Sequence, residues 1–282
     1  MILKNCNGWP SPAKLNLMLH IVGRRADGYH LLQTAFQLLD YGDQLYFNLR
    51  QDGEIHHLNP LPGVPAKSDL TVRAAQLLQN STACKKGIEI KIEKHLPMGG
   101  GLGGGSSNAA TTLVALNKLW ETNLSTNKLA KLGLQLGADV PIFIHGQTAW
   151  AEGVGEKLTP LTLPQPWFLV LIPACHVSTA EVFCTNELTR NTPRITMRDF
   201  LADGGHNDCL PVVRRQYTEV ASAISWLNQF AEAKLTGTGA CIYASFEKED
   251  DAREILSRLP ATLKGFVARG LNRSPLLDRL EQ

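Results

Sequence analysis

The chain of 282 residues contains no long hydrophobic run. The longest, Trp167 to Ile172, ends at Pro173, far below the roughly 20 residues of a membrane-spanning helix, so no membrane partner is expected. Its beginning, Met1 to Cys6, carries neither the apolar core of a secretory signal nor the Arg- and Ser-rich character of a transit peptide, which makes a cytoplasmic location the expectation. An excess of charge is also missing: 28 Lys and Arg face 26 Asp and Glu, a net +2 that gives no field to hold a nucleic acid. The six cysteines, at 6, 84, 175, 184, 209 and 241, include no pair two or three apart, which excludes a zinc ribbon or a redox CxxC and leaves free, structural thiols. No acidic cluster announces a metal, so no side-chain metal site is assigned. With 44% hydrophobic and 19% charged residues the chain is not disordered, and its length fits one large or two modest domains at about 150 residues each.

What is present is patterned. From Pro12 to Val22, Ala13, Leu15, Leu17, Leu19 and Ile21 alternate with Lys14, Asn16, Met18 and His20, which predicts a half-buried strand. A period of two points Lys14 and Asn16 in the same direction, off the leucine face. Asp27-Gly28 marks a turn, Leu45 to Leu49 and Ile55 to Leu58 read as short strands, Ser68 as the cap of a helix running to about Gln79, and Ile88, Ile90 and Ile92 as another strand. Beyond a glycine-rich segment, Ala109, Leu113, Leu116 and Trp120 give a helix one apolar face. A second helix starts near Ser125, with Leu124 and Leu129 at staple spacing, Leu132 and Leu136 toward the core, and Gly137 placed to end it. Ala149 to Glu152 and Glu156 to Leu161 form a hairpin around Gly153-Val154-Gly155, and three prolines from 160 to 166 then set the boundary between domains 1–160 and 161–282. The second domain mixes strands at 167–172, 241–246 and 265–269 with helices near 178–187, 216–232 and 249–259, which makes the class α+β.

Residues 97 to 107 read Pro-Met-Gly-Gly-Gly-Leu-Gly-Gly-Gly-Ser-Ser, six glycines in eleven positions between a strand and a helix start. Without Cβ atoms such a backbone brings its N–H groups against a ligand, and the helix N-terminus adds free donors and a positive dipole end. Phosphate is the natural guest. A flexible linker does not fit, because the segment sits tightly between two periodic elements of one domain. A Walker loop requires Gly-Lys-Ser/Thr, and here Gly105 is followed by Ser106 and Ser107. Gly99, Gly101 and Gly104 satisfy GxGxxG, yet a helix pair follows where a dinucleotide fold needs a strand ending in an acidic residue.

The loop resembles that of the GHMP small-molecule kinases, Pro-x-Gly-Gly-Gly-Leu-Gly-x-Gly-Ser-Ser opening a helix. Ser11-Pro-Ala-Lys-Leu-Asn-Leu17 with Arg25-Ala-Asp-Gly-Tyr-His30, Gly137-Ala-Asp-Val-Pro141 and Leu235-Thr-Gly-Thr-Gly-Ala240 extend the likeness over essentially the whole chain. They narrow it to the branch whose acceptor is a cytidine diphosphate-linked methylerythritol, phosphorylated on its C2 hydroxyl in the non-mevalonate route to isoprenoid precursors. The resemblance implies a two-domain fold, ribosomal-protein-like at the N-terminus and ferredoxin-like at the C-terminus. It implies ATP as phosphoryl donor, with Mg²⁺, and a monomer or weak homodimer.

It also implies roles. Asp139 is the catalytic base and Lys14 the catalytic lysine paired with it and with the acceptor hydroxyl. Pro97, Met98, Gly99, Gly100, Gly101, Leu102, Gly103, Gly104, Gly105, Ser106 and Ser107 hold the triphosphate, with Lys94 and Met98 near adenine and Thr236 to Ala240 supplying further backbone donors. Asn16, Tyr29, His30, Thr179 and Phe183 hold the acceptor, with Tyr29 and Phe183 stacking on cytosine and its edge read beside His30. Another GHMP kinase, for homoserine, mevalonate or a hexose, would keep the glycine loop without the Pro-Ala-Lys-Leu-Asn and Gly-Tyr-His pairing. A non-catalytic nucleotide-binding regulator of the same fold would tolerate loss of Lys14 or Asp139. Both residues are present.

Overall fold

The computed structural model describes residues 8–26, 28–65 and 67–282. Cys6, the Met1 to Cys6 segment and Asp27 of the Asp27-Gly28 turn lie outside them. Among the described residues ten strands share one sheet: β1 (Trp9–Arg24), β2 (His30–Arg50), β3 (Ile55–His57), β4 (Gly87–Glu93), β5 (Ala149–Gly153), β6 (Lys157–Pro160), β7 (Trp167–Ile172), β8 (Lys234–Leu235), β9 (Ile242–Phe246) and β10 (Lys264–Leu271). Ten helices among the described residues accompany them: α1 (Leu70–Thr82), α2 (Gly104–Leu119), α3 (Thr126–Leu134), α4 (Val140–His145), α5 (Thr179–Cys184), α6 (Met197–Asp203), α7 (Leu210–Gln216), α8 (Thr218–Leu227), α9 (Glu249–Ser257) and α10 (Pro275–Glu281). The main path runs β3-β4-β2-β10-β7-β9-β8, with β1 and β5 also on β2 and β6 on β5.

The long strand β2 is the spine, since it pairs with β1, β4, β5 and β10. Its first half does not announce itself as a strand because Gln33, Thr34 and Gln37 interrupt the apolar rhythm. All three are buried and bonded: Gln33 Nε2 donates to Glu152 Oε1 and to the Ile195 carbonyl, Thr34 Oγ1 to the Met18 carbonyl, and Gln37 Nε2 to the Pro164 carbonyl. A buried amide or hydroxyl with its partners costs little, so tertiary contacts decide what alternation alone could not.

The strand β1 departs from the half-buried expectation. Lys14, Asn16, Met18 and His20 are as buried as Ala13, Leu15 and Ile21, because α2, the glycine loop and C-terminal elements together cover both sides of the strand. Likewise α2 is buried almost all round from Ser107 to Leu116 rather than along one face. The cap of α1 is Asp69, not Ser68: its Oδ1 accepts from Thr71 N–H at 2.8 Å. One apolar core gathers Phe36, Leu45, Ile90, Leu113, Leu116, Phe143 and Leu276; another gathers Leu19, Ile21, Leu169, Val182, Val213, Ile224 and Ile242. A third, smaller cluster, with Leu15, Leu39, Leu102, Val170 and Tyr243, joins them. Among the described residues no helix is long and apolar enough to cross a membrane. The five described cysteines are free, and burial pushes the Cys209 and Cys241 thiols up to about 12, which keeps them unreactive.

Candidate active site

The glycine segment leaves β4 and enters α2 through backbone that only glycine adopts readily. Gly103, at the N-cap of α2, has φ of 74°, and Gly101 has φ of 75° with a hypothetical Cβ only 2.2 Å from the Thr236 carbonyl oxygen. The loop is therefore pressed against residues 236–239 as well as shaped to approach a ligand. No acidic residue occupies the first turn of α2, so nothing competes with an anion for its free N–H groups. A cleft of about 910 Å³ opens over this start.

Lys14 lies at the bottom of the cleft and is 2% exposed. Its ammonium has three donors and three acceptors within reach: Asn16 Oδ1 at 2.5 Å, the Gly101 carbonyl at 2.9 Å and Asp139 Oδ2 at 3.3 Å. Both residues that β1 points in one direction are thus in the site. Asp139 occupies the N-cap position of the short helix α4, with Pro141 in the first turn, and its carboxylate is 35% exposed. The turn after α3 is therefore the entry to another helix. A buried cation beside a half-open carboxylate, at the foot of an anion-binding loop, can hold a hydroxyl group and accept its proton.

Three segments distant in sequence fix this arrangement. Asn16 N–H donates to Thr236 Oγ1 at 3.0 Å, Thr236 Oγ1 lies 3.3 Å from the Gly101 carbonyl, and Tyr243 OH donates to the Asn16 carbonyl at 3.1 Å. Asn207 Nδ2 holds the carbonyls of Leu235 and Gly237 at 2.9 and 2.8 Å. Asn207 was not visible in the sequence, since a lone Asn between helices has no local signature.

One end of the cleft is lined by Leu61, Val64, Ser68, Leu70, Lys94 and Met98. Lys94 Nζ is bound to Asp43 Oδ2 at 2.6 Å, and the other oxygen of this fully buried carboxylate accepts from His95 and Leu96 N–H, both at 2.8 Å. Asp43 thereby fixes the turn that leads into the glycine loop. At the other end lie Arg24, Tyr29, His30, Thr179 and Phe183. Thr179 Oγ1 bonds Thr238 Oγ1 at 2.8 Å, and Phe183 stacks on His30 with centroids 4.9 Å apart and planes 23° from parallel. Burial, with the neighbouring Arg190 and Arg24, holds the His30 imidazole below its usual pKa. Of the residues expected at the site, Ser107, Thr236, Gly239 and Ala240 do not line the cleft; Ser107 is fully buried against Ser11, its Oγ 2.9 Å from that of Ser11.

Residues 69–147 match the family described as GHMP kinases N terminal domain, and residues 189–265 match GHMP kinases C terminal. The 4-diphosphocytidyl-2-C-methyl-D-erythritol kinase of Nitrosococcus oceani is 61% identical over 97% of this chain and 98% of its own length. The chain belongs to this family of GHMP kinases. A second member, from Ectopseudomonas mendocina, is 59% identical over 96% of this chain and 94% of its own. A crystal structure of 4-(cytidine 5′-diphospho)-2C-methyl-D-erythritol kinase superposes with a TM-score of 0.81 at 31% identity, covering 94% of this chain and 99% of that one. A mevalonate kinase, at 17% identity and a TM-score of 0.67, shares the fold. The expected α+β two-domain GHMP fold is confirmed by these matches.

Proposed function

We propose that the chain transfers the γ-phosphoryl group of ATP to the C2 hydroxyl of 4-diphosphocytidyl-2-C-methyl-D-erythritol. The observation that carries this reading is the Lys14–Asp139 pair, 3.3 Å apart in one cleft between the glycine loop and the Tyr29, His30 and Phe183 end. The triphosphate lies along the N–H groups of residues 99–106, with adenine toward Lys94 and Met98. Asp139 takes the hydroxyl proton as the oxygen attacks the γ-phosphorus and the bond to the ADP oxygen breaks. Lys14 orients Asp139 and offsets charge on the transferring group, where fixed charges act most strongly.

Cytosine lies edge-on to His30 and beneath the same Phe183 ring, because an offset stack leaves that ring extending beyond the imidazole. Tyr29 covers the opposite face, and Asn16 and Thr179 hold the sugar alcohol and diphosphate. Among the described residues no group of three or more His, Cys, Asp or Glu could hold a metal alone. The donor set therefore fits Mg²⁺ only as a companion of the nucleotide, and Asp139 and Ser106 are the protein oxygens that would help to hold it. When bound, it neutralises charge on the β- and γ-phosphates.

Coupled ADP release with the cytidyl sugar alcohol, set against homoserine, mevalonate and galactose, tests the reading. Turnover confined to the cytidyl acceptor is expected, and faster turnover of any other acceptor would overturn it.

A further inference from the structure

One residue outside every motif touches both His30 and the end of α5. Arg190, half-buried in the loop after α5, donates from Nε to His30 Nε2 at 3.2 Å. Its remaining nitrogens are committed to backbone. Nη2 donates to the carbonyls of Phe183 and Thr185 at 2.9 and 2.6 Å, and Nη1 to that of Leu188 at 3.0 Å. One guanidinium thus holds both His30 and the end of the helix that carries Phe183, and the His30–Phe183 stack lies between them.

The chemistry of the contact is one-directional. A guanidinium Nε carries a hydrogen and no lone pair, so His30 Nε2 must accept. The single proton of the neutral ring is then on Nδ1, and the imidazole's other polar edge is a fixed donor. We propose that Arg190 is a positioning residue that sets the tautomer of His30 and thereby makes the site select cytosine over uracil. This rests on the reading above that a cytosine lies beside His30. Cytosine presents a lone pair at N3, which a fixed Nδ1–H satisfies; uracil presents N3–H, which meets it donor to donor. Without Arg190 the proton is free to move to Nε2, and the Nδ1 lone pair then accepts from uracil.

Titrating the full chain with cytidine 5′-diphosphate and uridine 5′-diphosphate, before and after Arg190→Met, tests this. The parent is expected to prefer the cytidine nucleotide by tenfold or more, and the variant to bring the ratio within about threefold. An equal loss of affinity for both nucleotides would show that Arg190 only braces α5, and would overturn the proposal. Because the variant removes backbone contacts as well, the parent carries a second test. In ¹⁵N spectra of labelled histidine, with His30→Gln used to assign the signal, Nδ1 is expected to be the protonated nitrogen, and a protonated Nε2 overturns the proposal by itself. A parent that binds both nucleotides alike would sink the cytosine reading and the proposal with it. A discriminating parent whose preference survives Arg190→Met would sink the proposal alone.

Discussion

Asp139→Asn keeps the shape of the side chain and removes its ability to take a proton. Loss of general-base help costs roughly 10²- to 10⁴-fold in turnover, or about 3 to 5 kcal/mol on the barrier. The same change strips Lys14, 2% exposed, of its counter-charge and leaves it the Asn16 Oδ1 and Gly101 carbonyl acceptors. Breaking a fully buried pair costs about 3 to 5 kcal/mol, but Asp139 is 35% exposed, so water already weakens the pairing and a loss of about 1 to 2 kcal/mol in stability is expected. Affinity for metal-free ATP should hold within a factor of about three, since the glycine loop's N–H groups are untouched. Coupled ADP release gives the turnover, calorimetry the nucleotide affinity and urea unfolding the stability. Turnover within threefold of the parent would refute the role of Asp139 as base, and the carboxylate would then serve only to neutralise Lys14.

Gly101→Val places a Cβ 2.2 Å from the Thr236 carbonyl at φ of 75°, so its Tm should fall by about 5 to 10 °C, whereas Gly105→Val meets only Leu70 Cδ1 at 3.5 Å. That second variant should stay within about 2 °C of the parent and weaken ATP at least tenfold; unchanged ATP affinity by calorimetry would remove Gly105 from the phosphate site. Phe183→Ala should weaken the cytidyl acceptor about tenfold with ATP binding unchanged, on the scale of base–aromatic stacking, and a fall in ATP affinity instead would mean the two nucleotide ends are reversed. The imidazoles of His20, His30 and His145 are all held below their usual pKa, with burial the largest cause in each. A depressed folded-state pKa gives stability that is complete above the unfolded value of about 6.5 and is lost as pH falls through the folded one, so Tm should drop between pH 7 and 5; a flat Tm there would contradict it.

The parts of the fold set by local pattern were legible. Strand β7 and the hairpin of β5 and β6 follow from short apolar runs and turn residues, and the α2 start follows from the glycine segment. What escaped is governed by contacts between distant residues. The first half of β2 hides behind Gln33, Thr34 and Gln37, whose partners lie on β1, β5 and the 161–196 segment. Helices α4, α6, α7 and α10 have six or seven residues each, too few for a 3.6-residue period to rise above chance. Nothing near Gly101 in sequence reveals that the Thr236 carbonyl presses on it, so the space at that position is visible only in the structure.

The site divides along the same line. The strand period brought Lys14 and Asn16 to one side of β1 and composition marked the glycine loop, whereas Asp139 and the roles of the pair entered only through the resemblance to the GHMP kinases. Their joint was not legible. Lys14 reaches the Gly101 carbonyl across 87 positions, Asn16 is held to Thr236 across 220, and Tyr243 supports the Asn16 carbonyl across 227. Each of these bonds ties β1 either to the glycine loop or to the C-terminal half, so the proposed catalytic pair depends on contacts from both halves of the chain. A substitution at Thr236 or Tyr243, far from both nucleotide ends in sequence, therefore bears on the position of Lys14 as directly as a change in β1 itself. Arg190 belongs to the same class: its Thr-Arg-Asn-Thr-Pro surroundings have no period and no motif, and only the 3.2 Å approach to His30 Nε2 gives it a chemical task.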